Sequence, residues 1–137
     1  MKNLKLLLNI ILVTILIACD KEFGVDPDPN EQKNTFTYIE KTVFRARCAL
    51  SGCHSSISKQ ANLDLSTNNA YNNLVNIKSV LNVDGFNRVQ PGNSDASFLI
   101  KVLDGSDPTR MPLGGPYLDK ATINNIADWI DAGALNN

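Results

Sequence analysis

The sequence predicts a small all-α domain with long loops, preceded by an apolar leader and a flexible polar tether. Three observations carry that prediction. Phe36, Ile39, Val43 and Phe44 recur at helical spacing, with Glu40, Lys41 and Arg45 between them. Ile123, Ile126, Ala127 and Ile130 repeat the pattern near the other end at i, i+3, i+4 and i+7. Between the two stripes lie stretches of small and polar residues rich in glycine, serine and proline, the composition of loops.

The leader comes first. Lys2 and Lys5 precede an apolar run from Leu6 to Ile17, broken only by Asn9 and Thr14. That run is shorter than the roughly 20 residues of a membrane span and suits the apolar stretch of a signal peptide. It ends in Leu16-Ile17-Ala18-Cys19, and Asp20 turns the chain polar at once. The ending resembles the lipobox of bacterial lipoproteins. The resemblance implies that residues 1–18 are a signal peptide and that Cys19 is acylated and becomes the mature N-terminus. An ordinary secretory signal with a chance cysteine at its end is the alternative. Residues 19–35 are then the lipidated N-terminus and a linker, polar and without periodicity.

Cleavage leaves 119 of the 137 residues, enough for one small domain over residues 36–137. Domains of this size often lean on a disulfide, a metal or a cofactor. The net charge of −1 gives no case for nucleic acid or for electrostatic membrane binding. An export signal also places the cysteines outside the cytoplasm, where thiols tend to be oxidised or used.

Within the domain, residues 36–48 read as an amphipathic helix with Thr35 as N-cap. Residues 49–65 read as a loop, and Thr67 to Val75 as a short helix with Ala70, Tyr71 and Leu74 on one side. Lys78 to Gln90 suggests a turn or brief hairpin around Gly85. Asn93 or Ser94 caps a helix through Phe98, Leu99, Val102 and Leu103 that Asp104-Gly105 stops. A proline- and glycine-rich loop follows from Ser106 to Leu118. The last helix starts after Asp119 and ends at Gly133.

The chemistry is concentrated in one run, Cys48-Ala49-Leu50-Ser51-Gly52-Cys53-His54, which holds the sole histidine and both remaining cysteines. Covalent haem attachment needs two thiols that add across the porphyrin vinyl groups and a histidine beside the second, with its imidazole under the iron. The usual spacing has two residues between the cysteines, and here there are four. The vinyl separation is set by the macrocycle, so the extra residues must loop outward, for which Ser51 and Gly52 are suited. The longer spacing resembles that of small multihaem cytochromes of sulfate reducers. Met111 is the only methionine left after the leader, in Asp107-Pro108-Thr109-Arg110-Met111-Pro112. A thioether is a soft ligand, and a loop stiffened by Pro108 and Pro112 can hold it at an iron. The bland alternative is that Met111 packs under its own loop.

The whole pattern resembles single-haem class I cytochrome c domains. More narrowly, it resembles the small cytochrome c lipoproteins and planctomycete-type cytochrome c domains of environmental bacteria. The segments that carry this are Cys48 to His54, Arg88-Val89-Gln90-Pro91-Gly92-Asn93-Ser94 running into Ser97-Phe98-Leu99, and Arg110-Met111-Pro112 with Trp129-Ile130-Asp131-Ala132-Gly133-Ala134. The resemblance covers residues 36 to 135, and residues 55–87 contribute little to it. It implies covalently attached haem c on Cys48 and Cys53, His54 as proximal and Met111 as distal iron ligand, and Phe44 packed on Trp129 or Ile126. It further implies an electron carrier rather than an enzyme, held in the cell envelope by a lipid anchor and meeting a redox partner transiently. Arg45, Arg47 and Arg110 are candidates for haem propionates, with a solvated surface role as the simpler expectation.

Two rivals remain. Cys48 and Cys53 could form a disulfide in a haem-free structural or interaction lipoprotein. Alternatively, a haem with an exchangeable sixth ligand would serve redox or gas sensing. A zinc site lacks a fourth ligand. No carboxylate pair, phosphate loop or serine triad is visible that would point to a hydrolase.

Overall fold

A computed structural model of the chain describes residues 32–82 and 84–137. The leader, Cys19 and the linker as far as residue 31 lie outside the described residues. Among the described residues no helix is long and apolar enough to cross a membrane. The domain is helical with long loops and has no sheet; two isolated bridges, Val75 with Val89 and Lys78 with Asn87, are its only β pairing among the described residues.

The first helix follows the expected span but changes winding within it. α1 covers Phe36–Ile39, with the Thr35 hydroxyl accepting from the Tyr38 N–H as the cap. It then continues as a π-helix over Glu40–Cys48, closed by an Ala49 N–H to Phe44 carbonyl bond of 2.7 Å. This winding has a consequence for Cys48. In an α-helix of 3.6 residues per turn, Cys48 is about two and a half turns from Ile39 and faces the opposite side. The wider i→i+5 turns bring Ile39, Val43, Phe44 and Cys48 onto one face, where the first three are buried and Cys48 packs half-buried against them.

The remaining elements follow their sequence signals closely. α2 covers Ala70–Leu74 and α3 covers Phe98–Asp104, which Gly105 terminates at a φ of 84°. The cap residue of α3 is Ser97 rather than Asn93 or Ser94. Those two act just upstream: Asn93 accepts from the Ala96 N–H, and Ser94 binds the Asp131 carboxylate through both its N–H and its hydroxyl. α4 covers Lys120–Asp131 behind an Asp119 cap. Gly133 and Ala134 close it by donating to the Ile130 and Trp129 carbonyls, which is a Schellman motif with Gly133 in the left-handed region. Residues 77–79 and 86–88 form the two arms of the brief hairpin, paired through Ser79 N–H to Phe86 carbonyl and Arg88 N–H to Ile77 carbonyl.

The core lies where α1 and α3 pack on α4. The ring that meets Trp129 is Phe36, at 5.5 Å between centroids; Phe44 stands beside Phe36 at 6.4 Å, and Tyr71 meets Phe36 edge-on at 5.2 Å. Phe44, Ile126 and Trp129 belong to the same buried cluster. Phe44 thus shares the core with both residues expected beside it, Trp129 and Ile126, and Phe36 adds a ring against Trp129 that the sequence did not announce. The tail tightens this crossing. Trp129 Nε1 donates to the Leu135 carbonyl, Tyr71 donates to the Ala134 carbonyl, and Asn137 accepts from the Phe36 and Thr37 N–H groups. The open N–H groups at the start of α1 are satisfied in this way.

Trp129→Ala is expected to lower unfolding free energy by about 3–5 kcal/mol, read by urea titration, because it empties the centre of this cluster.

Candidate haem site

The run from Cys48 to His54 folds into a closed loop. The His54 N–H donates to the Cys48 carbonyl at 3.1 Å, and the Cys53 N–H donates to the Leu50 carbonyl at 3.0 Å. Gly52 sits at a φ of 82°, so the turn needs a residue without a Cβ there. Leu50, Ser51, Gly52 and Cys53 are all exposed. The residues between the cysteines therefore lie in solvent. Both cysteines are free thiols. Burial pushes the Cys48 thiol up to about 11; the Arg47 charge opposes this and the neighbouring Cys53 adds to it.

His54 is held through its second ring nitrogen. Nδ1 lies 3.0 Å from the Gln60 carbonyl, a group that only accepts, so Nδ1 carries the hydrogen and Nε2 keeps its lone pair. Burial lowers the His54 pKa, bonds to backbone groups of Gln60 and Leu63 raise it, and the Arg88 charge lowers it further. A neutral imidazole with one nitrogen fixed by a carbonyl and the other free is the form that binds a metal.

The Gln60 carbonyl owes its position to an unusual stretch of backbone. Lys59, Ala61 and Asn62 all have positive φ, at 42°, 55° and 55°. Each such non-glycine residue costs about 1 kcal/mol or more. Three sets of bonds offset this. The Gln60 N–H donates to the Cys53 carbonyl. The Ala61 and Asn62 carbonyls accept from the Arg88 guanidinium at 2.9 and 3.1 Å. Buried Asp64 gathers the Ser66 N–H and hydroxyl, the Asn69 amide and Lys59 Nζ at 3.5 Å. The Ser66 hydroxyl above all holds the Asp64 carboxyl below the usual range, against the effect of burial, with the Ser66 N–H and Lys59 assisting.

His54 and Met111 line the same cleft. Its apolar walls are Leu63, Leu74, Phe98, Leu99 and Val102, and Arg88 is its charged member. The Met111 N–H donates to the Val102 carbonyl at 2.8 Å, which ties the proline-rich loop to α3. The imidazole and the thioether share this cleft, whereas neither Cys48 nor Cys53 lines it. The cleft itself is about 50 Å³, below the roughly 300–1,000 Å³ of ordinary ligand pockets. As it stands the cleft is too small to enclose a macrocycle. A larger hollow of about 300 Å³ lies elsewhere, between α1 and the start of α4. Its lining contains Tyr38, Arg47 and Asp119 but no cysteine, histidine or methionine. Among the described residues no three His, Cys, Asp or Glu side chains gather into a metal-ion site.

The other arginines are engaged elsewhere. Arg45 is exposed, Arg47 donates to the Pro116 carbonyl, and Arg110 lies over the Tyr117 ring at 3.8 Å. Arg88 and Gln60 escaped sequence reasoning. Arg88 had one signal, its place beside Val89 in a motif that otherwise reads as a turn; Gln60 had none, because its contribution is a main-chain carbonyl.

No family model, no curated protein and no solved structure matches this chain.

In haem-free protein near pH 8, an alkylating reagent is expected to modify exposed Cys53 first. A thiol at about 11 rather than 9.0 carries roughly 100-fold less thiolate, so Cys48 should react slowly until the pH approaches that value. Peptide mass mapping over time reads the order. Acid should also weaken the fold. The depressed His54 pKa contributes stability that is full above the unfolded value of 6.5 and is lost as pH falls below it. Thermal midpoints should therefore decline from about pH 7 to about pH 5, and His54→Asn should flatten that segment.

Proposed function

We propose that this chain is a single-haem c-type cytochrome that transfers one electron at a time at the membrane periphery of a bacterial cell envelope, held there by lipid on Cys19. The observation that carries the reading is that His54 and Met111, distant in sequence, line one largely apolar cleft, with Cys53 adjoining His54 in the chain. His54 also has the carbonyl-bound Nδ1 that leaves Nε2 free for a metal.

In this reading Cys48 and Cys53 would hold the haem covalently through their thiols, and His54 and Met111 would hold its iron. When bound, haem iron cycles between its ferrous and ferric states with the gain or loss of one electron. The protein's part is to hold the ligands and exclude water. Leu63, Leu74, Phe98, Leu99 and Val102 supply the water-poor wall, and the bond from Met111 N–H to Val102 keeps the thioether at the cleft. With both His54 and Met111 on its iron, the group would favour electron transfer over binding of small ligands, which argues for a carrier rather than a gas sensor. No acid, base or nucleophile of hydrolytic chemistry is needed. The electron passes to a protein partner that docks transiently.

Protein made in a periplasm with active haem-ligation machinery is expected to gain the mass of one haem and to give a c-type pyridine haemochrome spectrum, with both lost in a Cys48→Ala, Cys53→Ala double variant. Reduced wild type should not bind carbon monoxide, whereas reduced Met111→Ala should. Colourless protein with Cys48 and Cys53 joined as a disulfide overturns the proposal.

A further inference from the structure

The hollow of about 300 Å³ between α1 and the start of α4 shares no lining residue with the cleft of His54 and Met111. Ile39, Val43 and Leu118, all members of the core, form its apolar side. Its charged members are Lys33, Arg47 and Asp119. Asp119 is already committed. Its two carboxylate oxygens accept from the Thr122 N–H at 2.9 Å and from the Thr122 hydroxyl at 2.8 Å, which caps α4. The two cations have no such partner, because among the described residues the only salt bridge joins Lys59 to Asp64. Arg47 gives one N–H to the Pro116 carbonyl at 2.9 Å. That bond holds the half-buried guanidinium against the segment that carries Leu118 and leaves four of its N–H donors without a described partner. Tyr38 on α1 and Asn125 on α4 add a phenol and an amide to the lining.

From this we infer that the hollow is a binding site for a small organic monocarboxylate, a ligand with one anionic end and an apolar body. At the roughly 30 Å³ that a water molecule occupies, its volume holds about ten non-hydrogen atoms, the size of one ring with its acid group. Charge selects the anion, since two cations beside a carboxylate already spent on a cap attract negative charge and repel amines. Arginine selects the carboxylate, whose two oxygens match the planar fork that Pro116 holds from one side. The apolar side selects a body that a bare inorganic anion lacks, because covering it removes apolar surface from water. Lys33, Arg47 and Leu118 come from three separate stretches of chain, so the site exists only in the folded domain. It stands whether or not the chain carries haem.

The test titrates the intact protein with sodium benzoate and follows backbone amide signals by NMR. Wild type is expected to bind with a dissociation constant of about 1 mM or tighter, with the shifts concentrated at Tyr38, Thr42, Arg47, Thr122 and Asn125. Benzyl alcohol, the neutral analogue, and inorganic phosphate, an anion without an apolar body, should each bind at least roughly tenfold more weakly. Arg47→Gln should weaken benzoate roughly tenfold and Lys33→Gln about threefold, while the exposed control Arg45→Gln matches wild type. Ala121→Trp, at an exposed position on the rim, should fill the hollow and abolish binding with both cations in place. If Arg47→Gln does not fold for want of the Pro116 bond, Lys33→Gln and Ala121→Trp decide. Three results overturn the inference: no shift at the hollow by about 10 mM benzoate, undiminished binding to Ala121→Trp, or benzoate binding no tighter than either analogue.

Discussion

One buried guanidinium holds the cleft side of this domain together. Arg88 reaches across from the end of the hairpin to the carbonyls of Ala61 and Asn62 in the turn after the cysteine loop, and to that of Asn73 in α2. Its backbone meanwhile pairs with Ile77 and receives Leu99 from α3. Four segments with no sheet or long helix between them are thus joined at a single side chain. The strained turn at 59–62 persists because these bonds, together with the Asp64 network, outweigh its unfavourable backbone. The position of the Gln60 carbonyl, and through it the tautomer of His54, depends on that turn.

The opposite side of the domain rests on ordinary packing. Phe36, Phe44, Trp129 and Ile126 form a dry cluster, and the tail from Gly133 to Asn137 folds back to saturate the start of α1 and the indole N–H. This arrangement makes the helix frame rigid at its base. The cleft of His54 and Met111 is walled by Leu74 of α2, by Phe98, Leu99 and Val102 of α3 and by loop residues, and its volume is about 50 Å³.

The π-helical second half of the first helix connects the two regions. Wider turns carry the face of Ile39, Val43 and Phe44 forward to Cys48. The thiol therefore ends half-buried at the edge of the core, while Cys53, beyond the outward loop, is exposed. Burial raises the Cys48 pKa and keeps it in the thiol form, which differs from the activated thiolate of a catalytic cysteine. The two sulfurs thus differ in environment although they belong to one motif.

Much of the frame was legible in the sequence, because it is written in side-chain types at regular spacing. The stripes of α1 and α4, the Asp119 cap, the stops at Gly105 and Gly133 and the outward loop at Gly52 each follow from a residue whose chemistry determines its local conformation. The candidate ligands were legible for the same reason, since the chain offers one histidine and, past the leader, one methionine. Tertiary structure alone decided the π winding, the Phe36 ring against Trp129, and the meeting of His54, Met111 and Arg88 in one cleft. Residues 55–87 were opaque because their work is done by backbone carbonyls and left-handed turns, groups that every residue possesses and no spacing announces. Side-chain identity selects local structure, but which carbonyl meets which donor is known only once the chain has closed on itself.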